Sequence, residues 1–391
     1  MEMRGPKHMR EPFDAIVIGG GPAGAMAALL LAGRGRRIAL IERGERNRDK
    51  TCGHCLSPRI APLLERAGLL DRVRAIATGR TGRVRIHTPG RKAATFKLNG
   101  GGTEAGWLVD RRLFDQSLID AAAERGVCVF QPAPARVVQR GADGAVVIAG
   151  RGDDERRLRT RLVIGADGLQ SMTARVFGLD VGAQRGRKYG FSFNLDCSAS
   201  APVSGVIDMF TGAGGYLGVV PGPGGALHGA GLVGTRSRGA RDPIGFTREM
   251  AVANPTLARL LGAGAEMYEE LNIIGSGPMP LRRRRIAGEG VALVGDAAGY
   301  HEPFTGEGMA WAIESAFLLD QAFAETGGAW STAAAARYEQ LWRHSIGRRM
   351  LACRAVAFAL ERPALLRLGL RAGAAGADIP RRYFMRQAVT A

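Results

Sequence analysis

A short apolar run, Phe13–Ile18, has the length of a buried strand rather than of a helix. It enters Gly19-Gly20-Gly21-Pro22-Ala23-Gly24, and a stretch of small and apolar residues, Ala25–Ala32, then predicts a helix. A second apolar run, Arg37–Ile41, closes on Glu42, 23 positions after Gly19. Strand, GxGxxG turn, helix, strand and acidic residue within about the length of one βαβ unit predict two parallel strands around a dinucleotide-binding turn.

Further along, apolar spacing at Ile60, Leu63, Leu64 and Ala67 predicts a helix that begins at Ser57-Pro58 and stops at Gly68. Arg80–Trp107 alternates basic and apolar residues, the pattern of an antiparallel hairpin. A helix should run from the segment 109–115 to Arg125, and a small meander should follow in Ala135–Gln139, Ala145–Ala149 and Arg157–Arg161. Another buried strand then ends in Gly165-Ala166-Asp167-Gly168 before a helix at Ser171–Phe177. Tyr189–Cys197, Ser204–Thr211, Tyr216–Val220 and Ala226–Gly234 read as a second, antiparallel sheet, with one helix over Pro243–Leu261. The strand Val291–Val294 ends in Gly295-Asp296 and leads through Gly306-Glu307-Gly308 to a helix over Met309–Ala324. The tail, Ser331–Ala391, reads as helical and arginine-rich, with Tyr338, Leu341, Trp342, Ile346 and Met350 as its core face.

The chemistry follows from these strand ends. Gly19 permits a tight turn, Gly21 lets a pyrophosphate approach the backbone, and Gly24 lets helix and strand pack closely. The helix N-terminus offers free N–H groups and a partial positive charge to phosphate, and Glu42 would accept hydrogen bonds from ribose hydroxyls. The helix after Gly306-Glu307-Gly308 offers a second N-terminus, suited to an electron-rich ring carbonyl.

Composition alters this picture little. The chain of 391 residues has room for two or three packed domains. The net charge of +18 comes from arginine, since Lys7, Lys50, Lys92, Lys97 and Lys188 are the only lysines. That charge reads mainly as an arginine-rich surface; the aromatic-plus-basic signatures of RNA binders are absent, so no nucleic-acid partner is expected. No apolar run approaches the ~20 residues that cross a bilayer, and the first twelve residues lack an apolar signal core. A cytoplasmic protein is expected, with peripheral membrane contact as a further expectation. Cysteines 52, 55, 128, 197 and 353 form an odd set that argues against a disulfide framework. Cys52-Gly53-His54-Cys55 admits a thiol–disulfide reading and a zinc half-site reading, but a loop lining the cofactor or substrate pocket is favoured, and no metal is expected.

The three glycine motifs with Glu42 resemble FAD-binding oxidoreductases of the para-hydroxybenzoate hydroxylase fold, over about residues 12–330. Cys52-Gly53 followed by Leu56-Ser57-Pro58, the stretch Pro303-Phe304-Thr305-Gly306-Glu307-Gly308, and Tyr216…Pro221 with Gly229-Ala230-Gly231 resemble its geranylgeranyl reductase branch. The resemblance implies an α/β protein: a Rossmann-type (GR2-like) FAD-binding domain, an inserted antiparallel β-sheet substrate domain and a helical C-terminus. Residues 12–78, 106–185 and 282–330 would form the first, 79–105 and 186–281 the second, and 331–391 the third.

FAD is the implied cofactor, held by Gly19, Gly21, Pro22, Ala23, Gly24, Glu42, Arg43, Arg111, Asp167, Gly168, Gly295, Asp296, Gly306, Glu307 and Gly308. Cys52, Cys55, Tyr216, Pro221, Pro303 and Phe304 would line the substrate pocket, and His54, His301 and Glu302 are the candidate proton carriers. The implied reaction is hydride transfer from reduced flavin to a C=C bond of an apolar isoprenoid or polyketide-like lipid. The alternatives are an oxygen-dependent monooxygenase acting on an aromatic ring, a thiol–disulfide oxidoreductase, and a non-catalytic FAD-bound interaction protein. No second dinucleotide motif is visible, so NAD(P)H would bind transiently or electrons would come from a donor protein or free flavin. One departure stands out: the branch usually carries Tyr-x-Trp-x-Phe-Pro, whereas here the stretch is Tyr216-Leu217-Gly218-Val219-Val220-Pro221, without a large wall residue. The halogenase pattern Trp-x-Trp-x-Ile-Pro is absent.

Overall fold

The computed structural model describes residues 11–97, 106–141, 144–195, 204–212, 214–222, 225–234, 242–262, 271–300 and 306–360. The first strand, β1 (Ala15–Ile18), lies at the middle of a six-stranded sheet. It pairs in parallel with β2 (Ile38–Ile41) on one side and with β11 (Val163–Gly165) on the other. β7 (Cys128–Phe130) extends the sheet beyond β2; β18 (Val291–Leu293) and the antiparallel edge strand β17 (Ala287–Gly288) extend it beyond β11. Except for the partly buried edge strand β7, these strands are short, apolar and buried on both faces, as parallel strands covered by helices must be. The expected order of strand, glycine turn, helix and strand is therefore present. α1 (Pro22–Gly33) begins directly in the glycine turn, three residues earlier than the apolar pattern placed it, because Pro22 is pre-set for a first helical turn.

α1 is buried nearly all round against the sheet, α4 (Arg111–Glu124) and α8 (Gly308–Glu325). The meander is a separate antiparallel sheet of β8 (Ala135–Gly141), β9 (Gly144–Ala149) and β10 (Arg156–Thr160). A ten-stranded sheet forms the other large layer. Its order runs β19 (Gly299–Tyr300), β16 (Ile274–Arg282), β12 (Gln184–Leu195), β15 (Leu227–Gly234), β14 (Gly215–Pro221) and β13 (Gly205–Gly212). It continues through β4 (Ala77–His87), β6 (Gly106–Val109) and β3 (Cys55–Leu56), with β5 (Ala94–Lys97) paired to β4. The basic–apolar hairpin thus joins this sheet, through a parallel β4–β13 pair. β3 was not foreseen, and β6 lies within 106–185, the range expected to belong to the FAD-binding domain; both hydrogen-bond into this large sheet.

One face of the large sheet packs on α6 (Pro243–Ala253) and α7 (Pro255–Leu261), with Phe191, Phe193, Leu217, Val219 and Phe246 among the buried residues. A single helix was expected over these two. The break falls at Asn254-Pro255, where proline has no N–H to continue the ladder and the Asn254 side chain caps α7 by accepting from the Thr256 and Leu257 N–H groups. α2 (Ile60–Arg66), α3 (Leu70–Ala75) and α5 (Met172–Val176) are short helices around the six-stranded sheet. α9 (Thr332–Trp342) and α10 (Arg348–Leu360), joined by a π turn, bring Tyr338 and Ile346 into the core as their spacing predicts. Among the described residues no helix is long and apolar enough to cross a membrane.

Candidate active site

The glycine turn between β1 and α1 is fixed by close packing. Gly19 has φ +108°, and a Cβ there would lie 2.3 Å from the Ala166 carbonyl oxygen. A Cβ on Gly24 would lie 1.9 Å from the Gly19 carbonyl oxygen, so helix and strand approach as only glycine allows. Gly21 differs: a Cβ there would meet only Lys50 Nζ, at 3.5 Å. The turn is thus tight behind and open in front. Pro22 and Ala23 open α1, whose first turn has no side-chain cap and no acid, leaving its N–H groups to an anion.

Glu42, at the end of β2, is buried and accepts from the N–H groups of Gly20 and Gly44, both at 2.7 Å. Beside it an open pocket is lined by Gly20, Arg48, Lys50, Asp115 and Gln131 among others. Arg48 Nε is buried on its wall without a hydrogen-bond partner among the described residues. An open glycine turn, a buried acid and an unsatisfied guanidinium N–H are what an adenosine and pyrophosphate would complete. Arg43, by contrast, is exposed.

A charged cluster stands next to this turn. Arg111 donates to both carboxylate oxygens of Asp115, at 2.8 and 2.9 Å, and Lys50 Nζ lies 3.0 Å from the same group. Burial alone would raise the Asp115 carboxyl, but Arg111 and Lys50 outweigh it and hold the group below the usual range. Among the described residues Asp296 has no such partner: burial pushes its carboxyl up to about 6, against the pull of Arg111 and Lys50 and with the repulsion of Asp115. Arg111, the expected cofactor contact, is held in place by Asp115 through Nε and Nη2 and lies beside the Cys52 sulfur.

Asp167 is engaged within the chain. Its carboxylate accepts from Ser171 Oγ at 2.5 Å, Thr173 N at 2.9 Å and Thr173 Oγ1 at 3.1 Å. It therefore caps α5, and what this strand end offers a ligand is backbone, including Gly168 at φ +78°. Gly295 (φ +59°) packs its turn against Ala23, and the buried Arg283 holds that turn by donating to the Ala297 carbonyl at 2.7 Å while pairing with Asp180.

Gly306 (φ +66°) faces Cys55, with 3.7 Å between a Cβ built on it and the Cys55 Cβ. The Glu307 carboxylate turns away toward α2, accepting from Ser57 Oγ at 2.6 Å with Arg59 Nε at 3.8 Å. Burial pushes this carboxyl up, and its second oxygen is buried without a hydrogen bond among the described residues. Glu307 thereby anchors the turn rather than facing into the cleft. Gly308 lies under the Tyr300 ring.

The cysteine loop closes the site. Cys52 Sγ accepts from the His54 N–H at 3.2 Å, and Cys55 Sγ donates to the Gly53 carbonyl at 3.0 Å. Both thiols are free, and burial pushes the Cys55 thiol up, away from the thiolate that disulfide chemistry needs. Among the described residues no group of His, Cys, Asp and Glu could hold a metal ion.

His54 takes a left-handed backbone, φ +56°, and stacks on His228 with 3.6 Å between ring centroids. Burial, then the neighbouring His228, push its pKa down to about 3, so its ring is neutral near pH 7 and carries no spare proton. His228 was not singled out from sequence. Its Nε2 is 2.6 Å from the Cys52 carbonyl oxygen and its Nδ1 2.5 Å from the Asn194 side-chain amide. Burial holds this ring neutral as well. A carbonyl only accepts, so Nε2 carries the proton toward Cys52; Nδ1 lies against Asn194 Oδ1, and the Asn194 amide turned over to present its NH2 satisfies it. The available signal was the alternation of β15, which places His228 on the same face as Ala230 and Leu232. His228→Ala strands the Cys52 carbonyl, and urea unfolding should report a loss of about 1–3 kcal/mol; an unchanged midpoint would remove the clamp.

Tyr216 joins a buried apolar cluster with Ile86, Met209, Leu232 and Met279, against which Leu169 and Tyr300 also pack. Pro221 ends β14, paired with Leu227. His301, Glu302, Pro303 and Phe304 lie outside the described residues.

With this geometry in hand, comparison with known proteins gives three findings. A model of the FAD binding domain family matches residues 13–352. The digeranylgeranylglycerophospholipid reductase of Methanoculleus marisnigri is 30% identical over 348 residues, covering 86% of this chain and 83% of that protein. Among solved structures, a geranylgeranyl bacteriochlorophyll reductase-like protein from Thermoplasma acidophilum superposes with TM-score 0.73 at 23% identity, covering 97% of this chain and 93% of that one. PqsL, a probable FAD-dependent monooxygenase from Pseudomonas aeruginosa, superposes with TM-score 0.71 at 22% identity, covering 92% of this chain and 99% of that one. At such identities these two structures speak to the fold alone.

Proposed function

We propose, from the premise that the chain belongs to the FAD binding domain family, that this FAD-dependent oxidoreductase reduces carbon–carbon double bonds of an isoprenoid lipid. The observation that carries the substrate class is the apolar cluster of Ile86, Met209, Tyr216, Leu232 and Met279 on the sheet face opposite α6 and α7. Aliphatic and thioether groups dominate it, which suits a hydrocarbon chain better than a phenol needing fixed polar partners. The name of the M. marisnigri relative supports the same class.

In this reading the 19–24 turn and the α1 N-terminus take the pyrophosphate, Glu42 and Arg48 the adenosine side, and Asp296 the chain of hydroxyls leading to the ring. Bound FAD, once reduced, would supply the hydride to one carbon of the double bond, and a pocket acid or water would supply the proton to the other. The α8 N-terminus stabilises negative charge at the ring edge, and the sheet cluster excludes water from the double bond. Neutral His54 is a wall rather than an acid. Tyr300, whose phenol burial keeps protonated, holds an O–H beside Gly308 at the edge of the cluster. NAD(P)H or an electron-donor protein delivers the electrons, and the lipid substrate brings the protein to a membrane surface.

The test is product mass after the reduced protein meets polyprenyl lipids and phenols, in air and under argon. A gain of two hydrogens that persists under argon supports the reductase. A gain of one oxygen atom, lost under argon, would make the protein a monooxygenase instead.

A further inference from the structure

We propose that Met209, on β13, is the adjustable wall of the chamber that receives the substrate's apolar chain, a role no side chain on β14 fills at this point. The inference deepens the reductase reading and rests on it. Along β14, Leu217 and Val219 pack toward α6 and α7, so Tyr216, Gly218 and Val220 face the other way, where Tyr216 joins Ile86, Met209, Leu232 and Met279. Position 218 therefore sits, with no side chain, on the face that carries the buried Ile86, Met209, Leu232 and Met279 cluster. In the β13–β14 register Met209 is directly opposite Gly218, and a Cβ built on Gly218 would lie 2.8 Å from Met209 Sδ. Met209 fills the space that a larger residue at 218 would occupy.

Two further observations make this a wall rather than ordinary core. The cluster around Met209 includes Leu169, just beyond the Gly168 strand end, and Tyr300, which covers Gly308. It therefore touches both strand ends that the cofactor reading uses. Methionine also recurs across the sheet, where Met279 approaches another side-chain-free position, Gly190, with 3.1 Å between Met279 Cε and a Cβ built there. Two glycines covered by two unbranched, rotatable thioethers make a surface that yields to a flexible chain. A tryptophan or phenylalanine at 218 would instead give a fixed wall.

The experiment exchanges the wall between strands in the FAD-loaded protein. Met209→Ala, Gly218→Trp and the double variant Met209→Ala/Gly218→Trp are titrated with geraniol, farnesol and geranylgeraniol. The readouts are perturbation of the flavin absorbance, for binding, and anaerobic turnover. Gly218→Trp alone collides with Met209 and should weaken binding about tenfold or more. The double variant, in which the indole enters the space vacated by the thioether, should recover most of that loss and show a changed preference among the three chain lengths. Met209→Ala alone should flatten that preference with flavin content close to wild type, while the melting temperature falls by a few degrees, as for any buried methionine cut back to alanine.

Unchanged binding in Gly218→Trp, or a double variant no better than Gly218→Trp, would overturn the wall while leaving the reductase reading intact. A wild-type protein whose flavin responds to none of the three alcohols would overturn both.

Discussion

Gly24→Ala is expected to give a protein without bound flavin and with a melting temperature lower by about 1–4 °C. The added methyl would lie 1.9 Å from the Gly19 carbonyl oxygen and 2.9 Å from Ala166 Cβ. The first obstacle is backbone and cannot rotate away, so α1 must move off the sheet. Because α1 is buried between the sheet, α4 and α8, that movement reaches the core and the glycine turn together. Overpacking of this kind costs about 1–3 kcal/mol or more.

Gly21→Ala provides the contrast. Its methyl meets only Lys50 Nζ at 3.5 Å, so the apoprotein should fold and melt as wild type. The same methyl occupies the open front of the turn, and FAD affinity should fall about tenfold or more. Flavin content and differential scanning fluorimetry on the two variants check this pair. Full flavin retention in Gly21→Ala would mean that the pyrophosphate lies elsewhere.

The second large effect concerns Asp296 and pH. Burial raises its carboxyl to about 6 from an ordinary 3.8, so the folded apoprotein binds a proton more tightly than the unfolded chain does. Ionising the group therefore destabilises the fold: this contribution is absent below about pH 4, grows as pH rises through the window to about 6, and levels off above it. Two units correspond to at most about 3 kcal/mol. Asp296→Asn removes the ionisation. The variant apoprotein should match wild type near pH 4 and exceed it by up to about 3 kcal/mol near pH 7.5 in urea titrations. It should also bind FAD more weakly, since a neutral amide is a poorer acceptor for hydroxyls than a carboxylate. A stability difference that does not change with pH would contradict this account of Asp296.

The frame of the protein was open to reading because its signals are local. Short apolar strands, glycines at their ends and proline at the first helical turn each act within a few residues. The sheet pairings of Cys55–Leu56 and Gly106–Val109 were less legible, because register across a long insertion depends on partners remote in sequence. Side-chain roles divided along the same line. Gly19 and Gly24 could be placed because their packing is dictated by the turn itself. The protein partners of Asp167 and Arg111 were not legible, since residue type alone does not show that Ser171 and Thr173 meet one and Asp115 the other. The His228 clamp and the Met209 wall join strands that meet only after folding, so composition marked neither.

The most direct measurement of the central claim is anaerobic reoxidation of the reduced, FAD-loaded protein by a geranylgeranyl glycerophospholipid, followed by flavin absorbance and lipid mass together. The account predicts that flavin is reoxidised without oxygen, with one double bond lost for each flavin turned over. Flavin that stays reduced beside the lipid until air is admitted, with no saturated product formed, would contradict it.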